Sequence, residues 1–175
     1  MADPSRAIVL VGLMGTGKTT VGGVLAERLG VPLIDTDEMI LARTGRTVRE
    51  IFEADGEAAF RALETEALLD ALASPDPFVL AAAGGVVLAE ANRDALRAPG
   101  VVVVWLRADP ALLVRRVVGQ DHRPLLDDDP EGTFTRMRHD RASLYAEVAD
   151  VAIDVDELTP EQVAAQVLAA APEWI

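Results

Sequence analysis

The sequence predicts an α/β fold, a three-layer α/β/α sandwich around a five-stranded parallel sheet. Short strands that are apolar throughout alternate with helical segments, a pattern typical of parallel strands covered on both faces. The first of these strands leads into a glycine-rich turn, which a helical pattern follows at once. The chain has 175 residues, of which 50% are apolar and 26% charged, so we expect one domain spanning residues 1–175.

The predicted strands are short runs rich in Val, Ile and Leu. They carry few charged residues, which distinguishes them from the helical segments between them. The run Val-Val-Val-Val-Trp at 101–105 is the clearest example. The predicted strands cover residues 7–11, 31–34, 77–82, 101–105 and 151–153.

The predicted helices carry apolar residues at spacings of three and four. In the first of them Val21, Val24 and Leu25 lie on one face, and Gly30 marks its end. Thr159 and the proline after it mark the start of the last helix. The predicted helices cover residues 20–29, 38–43, 48–54, 57–73, 90–97, 110–117, 134–148 and 159–171, and the polar stretch 118–132 is predicted to be a loop.

The composition excludes several classes of protein. The chain has no cysteine, so disulfide frameworks, thiol nucleophiles and cysteine metal sites are ruled out. Its two histidines, His122 and His139, are predicted to be solvated bystanders. The net charge of −13 argues against binding to nucleic acid or to anionic membranes. The first residues resemble neither a signal peptide nor a membrane span, and we expect a cytoplasmic protein.

The turn after the first strand carries a phosphate-binding pattern, Gly12-x4-Gly17-Lys18-Thr19. Glycines let backbone N–H groups curl around a polyphosphate, and the N-terminus of the following helix favours the same anion. Lys18, the only lysine in the chain, supplies charge to the β and γ phosphates, and the Thr19 hydroxyl is a ligand for Mg²⁺. Because a buried strand precedes the pattern and a helix follows it, we expect a nucleoside triphosphate to bind here.

Further candidate residues follow the second and third strands. Asp35 and Asp37 come after the second strand, and Gly84 and Gly85 after the third. The carboxyl ends of parallel strands form one edge of the sheet, where ligands bind, so these residues are expected to converge on the phosphate loop. Each aspartate also has a local alternative role, as the cap of the helix that follows.

The remaining motifs favour a kinase that acts on a small molecule. A GTPase of this size normally carries an Asn-Lys-x-Asp segment, which a chain with Lys18 as its only lysine lacks. Motor ATPases are usually much larger. Five further motifs accompany the phosphate loop: Asp35-Thr36-Asp37, Phe60-Arg61, Gly84-Gly85, Arg123-Pro124-Leu125-Leu126 and Arg141-x-x-Leu144-Tyr145. Together the six motifs resemble those of the shikimate kinase family, in the family's order and over nearly the whole chain.

The resemblance implies a single kinase domain, similar to the nucleoside monophosphate kinases, with a substrate-binding region near 36–62 and a mobile lid near 118–132. It implies transfer of a phosphoryl group from ATP to shikimate, giving shikimate 3-phosphate and ADP, a step of aromatic amino-acid biosynthesis. ATP and shikimate are then the partners, Mg²⁺ is the cofactor, and the protein is expected to be a monomer.

The same resemblance assigns residues to the nucleotide and to the metal. Thr19 would ligate Mg²⁺ directly, and Asp35 would hold it through water. Arg116 would lie against the adenine, with its neighbour Arg115 as the alternative, and Arg123 would reach from the lid to the transferring phosphate. The residues that would bind the ATP phosphates are Gly12, Gly15, Thr16, Gly17, Lys18, Thr19 and Thr20.

For the substrate, the resemblance assigns Arg61 and Arg141 to the carboxylate, which the planar guanidinium fork suits. Asp37 would orient the attacking hydroxyl or accept its proton, and the backbone at Gly84 and Gly85 would contact the ring hydroxyls. The implied catalytic residues are Lys18, Asp37 and Arg123.

Several alternatives stay open. Arg61 has acidic neighbours, Glu57 and Glu64, on its own predicted helix. Ala83 stands where the family usually has the first of three glycines, and we expect an ordinary φ there. Segment 156–158 lacks the basic residue that the family tends to place near the adenine, so the adenine would be held mainly by Arg116 and backbone contacts. The rival functions are a kinase for another small polyol acid, such as gluconate, and a non-catalytic nucleotide-binding regulator.

Overall fold

The computed structural model describes residues 7–117 and 128–171. Within them, five parallel strands form one sheet in the order β2-β3-β1-β4-β5. This arrangement confirms the predicted α/β class and the predicted parallel sheet. The strands are β1 (Ala7–Val11), β2 (Leu33–Asp35), β3 (Phe78–Ala81), β4 (Val101–Arg107) and β5 (Val151–Asp154).

Helices connect successive strands. The last of them confirms its predicted start, because the Thr159 hydroxyl accepts a hydrogen bond from the Gln162 N–H at 3.2 Å, and a proline occupies the first turn. The helices are α1 (Lys18–Leu29), α2 (Thr36–Thr44), α3 (Val48–Asp55), α4 (Glu57–Leu72), α5 (Glu90–Leu96), α6 (Pro110–Val117), α7 (Pro130–Val148) and α8 (Pro160–Ala170), with a 3₁₀ turn at Val86–Leu88.

Strand β1 shows how the sheet divides the core into two layers. Its side chains alternate between the faces, and all of them are buried. Ala7, Val9 and Val11 pack on the side that includes α4 and α7, whereas Ile8 and Leu10 pack against α1 and α8. A strand buried on both faces must be apolar at every position, which is why the sequence pattern of this strand is continuous rather than alternating.

A smaller apolar cluster lies beside the sheet and joins α2, α3 and α4. Ile40, Ile51 and Phe60 form its centre, and the rings of Phe52 and Phe60 lie 5.0 Å apart. The cluster anchors the start of α4, where Arg61 follows Phe60. The region 36–62 is therefore attached to the domain through apolar packing around α4, close to the carboxyl edge of the sheet.

Many element boundaries differ from the prediction by one or two residues, and the start of α7 differs by four. Helix α7 begins at Pro130, so the predicted loop is wrong over residues 130–132. The Asp129 side chain accepts from the Gly132 N–H at 3.1 Å, and proline is well suited to a first helical turn. Helix α1 begins at Lys18 rather than Thr20, and α2 begins at Thr36. No helix in the described ranges is long and apolar enough to cross a membrane.

Candidate active site

The turn after β1 contains glycines that no other residue would replace without strain. Gly12 has a φ of +146°, and a Cβ there would lie 2.5 Å from the Leu106 carbonyl oxygen. Gly17 has a φ of +92° and immediately precedes α1. Residues other than glycine rarely adopt such φ values. The turn therefore passes close to β4 and delivers the N-terminus of α1 to the carboxyl edge of the sheet.

Lys18 folds back over this turn. Its ammonium group donates to the carbonyl oxygens of Gly12 and Leu13, at 2.8 and 2.9 Å. The Thr16 hydroxyl donates to the same Leu13 oxygen at 2.9 Å. The only lysine of the chain thus lies at the turn, as predicted, with its ammonium group held against two backbone carbonyl oxygens of that turn.

Asp35 joins the phosphate loop to the end of β2. The Thr19 hydroxyl donates to Asp35 Oδ2 at 2.7 Å, and Asp35 Oδ1 accepts from the Asp37 N–H at 2.9 Å. Asp35 is therefore the N-cap of α2, which realises its local alternative role, whereas Asp37 lies inside the helix and is not its cap. One carboxylate and one hydroxyl in contact are the oxygen ligands that Mg²⁺ prefers.

A cleft of about 370 Å³ opens at the carboxyl ends of the strands. The expected convergence is confirmed, because the segments after β1, β2, β3 and β5 all contribute to its walls. Residues from these segments and from α6 line the cleft: Gly15, Thr16, Gly17, Lys18, Thr19, Thr20, Asp35, Asp37, Ala83, Gly84, Arg116, Val155, Leu158 and Pro160.

Arg116 and an apolar wall form one end of the cleft. Arg116 Nη1 donates to the Gly15 carbonyl oxygen at 2.9 Å, so its guanidinium lies on the phosphate loop. Val155, Leu158 and Pro160 line the cleft as well. Arg116 lines this cleft and Arg115 does not, which favours the first of the two candidates. A flat, mostly apolar group would fit between this wall and the arginine.

The glycine turn after β3 lies beside the two candidate substrate arginines, and at Gly85 it leaves room for Arg61. A Cβ on Gly85 would fall on the Arg61 guanidinium, and a Cβ on Gly84 would lie 3.6 Å from Arg141 Nη1. Gly85 has an ordinary φ of −84°, so space rather than backbone conformation requires glycine here. Ala83 has no positive φ either, which confirms the expectation, and its N–H donates to the Thr36 hydroxyl at 2.9 Å.

Arg61 is held by both acidic neighbours on α4. Its Nη1 lies 2.6 Å from Glu64 Oε2 and its Nη2 lies 3.0 Å from Glu57 Oε1, so the local alternative is realised. Burial lowers the pKa of Arg61, but the two carboxylates outweigh it and the pKa stands above its ordinary value. Its Nε is buried without a hydrogen-bond partner among the described residues. The ion pairs therefore orient the guanidinium without using all of its donors.

Glu64 is a buried carboxylate of this region that sequence reasoning did not assign to the site. It is 2% exposed, and burial raises its pKa. The positive charges of Arg61 and Arg141 partly offset this rise, and the negative charge of Asp37 adds to it. Arg141, on α7, is also buried, with 6% of its surface exposed. These four groups form one charge cluster beside the glycine turn. Its sequence signal was an acid three residues after Arg61, which is also common in exposed helices.

Three residues that the sequence analysis singled out fall elsewhere. Arg123, the proposed lid arginine, and His122 lie outside the described residues, as does the predicted lid over 118–127. His139 is exposed on α7. The structure describes no group of three or more His, Cys, Asp or Glu side chains that could hold a metal ion within 7–117 and 128–171.

The parallel sheet, the phosphate loop and the cleft between them define a P-loop protein with the architecture of small-molecule kinases. Among solved structures, a shikimate kinase from Acinetobacter baumannii in complex with shikimate superposes with a TM-score of 0.90 and 37% identity, over 93% of this chain and 90% of that one. The shikimate kinase family model matches residues 14–172, and the chain belongs to the shikimate kinase family.

Curated relatives agree over most of their length. The shikimate kinase of Symbiobacterium thermophilum is 47% identical over 164 residues, covering 92% of this chain and 93% of the relative. That of Salinispora arenicola is 48% identical over 161 residues, covering 92% and 95%. A gluconokinase from Sinorhizobium meliloti has a TM-score of 0.59 and 22% identity, a likeness of fold alone.

Proposed function

We propose that the chain transfers the γ-phosphoryl group of ATP to a hydroxyl of shikimate, giving shikimate 3-phosphate and ADP in aromatic amino-acid biosynthesis. Membership of the shikimate kinase family supports this function. The single observation that carries it is the placement of two arginines, Arg61 and Arg141, around the glycine turn that forms one wall of the phosphate-loop cleft. An anionic acceptor held there lies beside the site of phosphoryl transfer.

ATP would bind with its phosphates in the turn at 15–20. The N–H groups at the start of α1 and the helix dipole favour the phosphate oxygens, and Lys18 would leave its carbonyl partners for the β and γ oxygens. The adenine would lie between Arg116 and the apolar wall at Val155 and Leu158. Arg123 would reach the transferring phosphate from the lid, a role that rests on the family resemblance.

Mg²⁺ would bind at the contact between Thr19 and Asp35. Their oxygens lie 2.7 Å apart and the donor set suits a hard cation, which proteins usually hold through one or two side chains together with substrate phosphates. The ion would neutralise charge on the phosphates. Asp35 would keep its second oxygen on the α2 backbone, so that the carboxylate stays oriented.

Shikimate would bind beyond the γ-phosphate. Arg61 and Arg141 would hold its carboxylate through charge-assisted hydrogen bonds, and the backbone of Gly84 and Gly85 would contact ring hydroxyls. Asp37, which lines the cleft, would orient the attacking hydroxyl or accept its proton. Phosphoryl transfer requires positioning and charge stabilisation more than covalent chemistry, and these residues provide both.

The test is ADP release measured with shikimate, with gluconate and with no acceptor. We expect ADP release that matches shikimate consumption, little release with gluconate, and a single phosphate ester in the product by ³¹P NMR. Equal ADP release with and without shikimate would overturn the proposal, and faster turnover of gluconate would favour the rival kinase. Absence of turnover with bound ATP would favour the regulator.

Arginine variants test the substrate assignment. Arg61→Ala and Arg141→Ala should each raise the KM for shikimate about 10- to 150-fold, the equivalent of ~1.5–3 kcal/mol for a hydrogen bond to a charged group. The KM for ATP should stay within about twofold. The matched control is Arg43→Ala, since Arg43 pairs with Asp70 at 2.7 Å on the surface, and its kinetics should be those of the parent.

The proposal also covers the partners and location of the protein. We propose a cytoplasmic monomer that binds ATP and shikimate but neither nucleic acid nor membranes, a view that the net charge of −13 supports. Light scattering across a range of protein concentrations would test the monomer. A mass of twice the 18.6 kDa of the chain at micromolar concentration would contradict it.

A further inference from the structure

Tyr145 joins two parts of the proposed substrate site. It lies one helical turn after Arg141 on α7, is 1% exposed, and stacks on Trp105 with ring centroids 5.6 Å apart. Its hydroxyl donates to the Gly84 carbonyl oxygen at 2.5 Å, and the positive charge of Arg141 acts on the same hydroxyl. The chain has no other tyrosine.

The phenol meets the two groups in complementary ways. A phenol has one proton to donate and lone pairs that accept, and a guanidinium only donates. The proton goes to Gly84, which leaves the lone pairs of the oxygen available to the positive charge of Arg141. Burial raises the pKa of Tyr145 to about 12, although Arg141 lowers it. The hydroxyl thus keeps its proton near neutral pH, and the Gly84 carbonyl keeps its donor.

The Gly84 carbonyl belongs to the Gly84–Gly85 peptide, whose backbone would contact the substrate. Two successive glycines have the widest conformational freedom of any dipeptide, so their peptide plane needs an external constraint. Because the peptide is planar and trans, its N–H points away from its carbonyl. A hydrogen bond that holds the Gly84 oxygen therefore also fixes the direction of the Gly85 N–H.

We propose that Tyr145 is a positioning residue, whose hydroxyl couples the carboxylate-binding Arg141 to the glycine turn. The coupling sets the distance between the group that holds the shikimate carboxylate and the backbone that contacts its ring. The inference rests on the proposed function. It explains why a buried phenol, rather than a phenyl ring, follows Arg141 by four residues, since Phe would fill the same space against Trp105.

Tyr145→Phe removes the hydroxyl and keeps the ring. We expect the KM for shikimate to rise about 5- to 20-fold, the range for loss of a buried hydrogen bond, and the kcat to fall severalfold. The KM for ATP should change less than about twofold. The matched control is Trp105→Phe, which alters the packing of the tyrosine ring but keeps the Tyr145 hydroxyl, and it should leave the KM for shikimate within about twofold.

A folded Tyr145→Phe protein with unchanged shikimate kinetics would overturn the inference, as would an equal rise in both KM values. Parent activity is measured first, so that absence of shikimate turnover refutes the proposed function separately. If the variant does not fold, the tyrosine Raman doublet of the parent decides, because it reports hydrogen bonding at a single residue. We expect the doublet to change on adding shikimate and not on adding ATP; no change with shikimate would refute the coupling.

Discussion

Gly85→Ala tests the arrangement of the substrate site, because it adds a methyl group beside Arg61 without straining the backbone. The backbone at Gly85 has a φ of −84°, which alanine adopts without strain, but the new Cβ would fall on the Arg61 guanidinium. Arg61 must then shift, which disturbs its 2.6 Å contact with Glu64, a residue that is 2% exposed. Complete removal of the partner of a buried charge costs about 3–5 kcal/mol. Because Arg61 is displaced rather than removed and Arg141 still acts on Glu64, we expect a loss of about 1–3 kcal/mol in the free energy of unfolding.

The same displacement moves Arg61, one of the two arginines that would hold the substrate carboxylate. The KM for shikimate should rise about 10- to 150-fold, with little change in the KM for ATP, and urea unfolding would measure the stability. The control is Gly23→Ala on α1, where a Cβ meets nothing within 4 Å and alanine favours the helix by about 1 kcal/mol. Parent-like shikimate kinetics in folded Gly85→Ala would refute the account of Arg61.

Three further predictions concern the nucleotide loop and Glu64. Amine acylation should reach Lys18 in the free protein and abolish activity, whereas Mg·ATP should protect it, as intact-mass spectrometry would show; equal labelling with and without nucleotide would contradict this. Thr19→Val should raise the Mg²⁺ concentration for half-maximal activity about tenfold, and unchanged Mg²⁺ dependence would remove Thr19 from the metal site. The pKa of Glu64 is raised in the folded state above 4.5, so the protein should lose stability as pH rises through that folded pKa. Glu64→Gln lacks this loss, and its unfolding free energy relative to the parent should increase with pH; a constant difference between pH 4 and 8 would disprove it.

Local patterns predicted the sheet because its signals are contained within single elements. The continuous apolar run of β1 and the cap at Thr159 involve neighbours in sequence, whose chemistry is visible without the fold. The start of α7 was missed for the opposite reason. Pro130 follows a run of acids and was assigned to the loop, although proline is favoured in the first helical turn once Asp129 supplies the cap.

The contacts within the candidate site were harder to predict from the sequence, because they join residues that are far apart along the chain. Asp35 and Asp37 are equivalent as candidate caps, and only the end of β2 decides which residue precedes the helix. The contact between Tyr145 and Gly84 joins residues 61 positions apart. Glu64 is an ordinary helical acid until the fold buries it near Arg61 and Arg141. Motifs identified the participants, whereas packing determined which of them contact one another.

The charge cluster offers a reason why a strongly acidic chain can take an anionic substrate. The net charge of −13 repels anions at a distance, but salt screens that field beyond about 8 Å at physiological ionic strength. Within that range the two arginines face Glu64 and Asp37, so the cluster is close to neutral before substrate arrives. Because Glu64 and Glu57 already orient Arg61, little side-chain entropy remains to be lost on binding. The buried Glu64 carboxylate therefore weakens the attraction of the site for anions in general. It also holds Arg61 in a fixed orientation, so the site favours an anion whose carboxylate can contact both guanidinium groups in that arrangement.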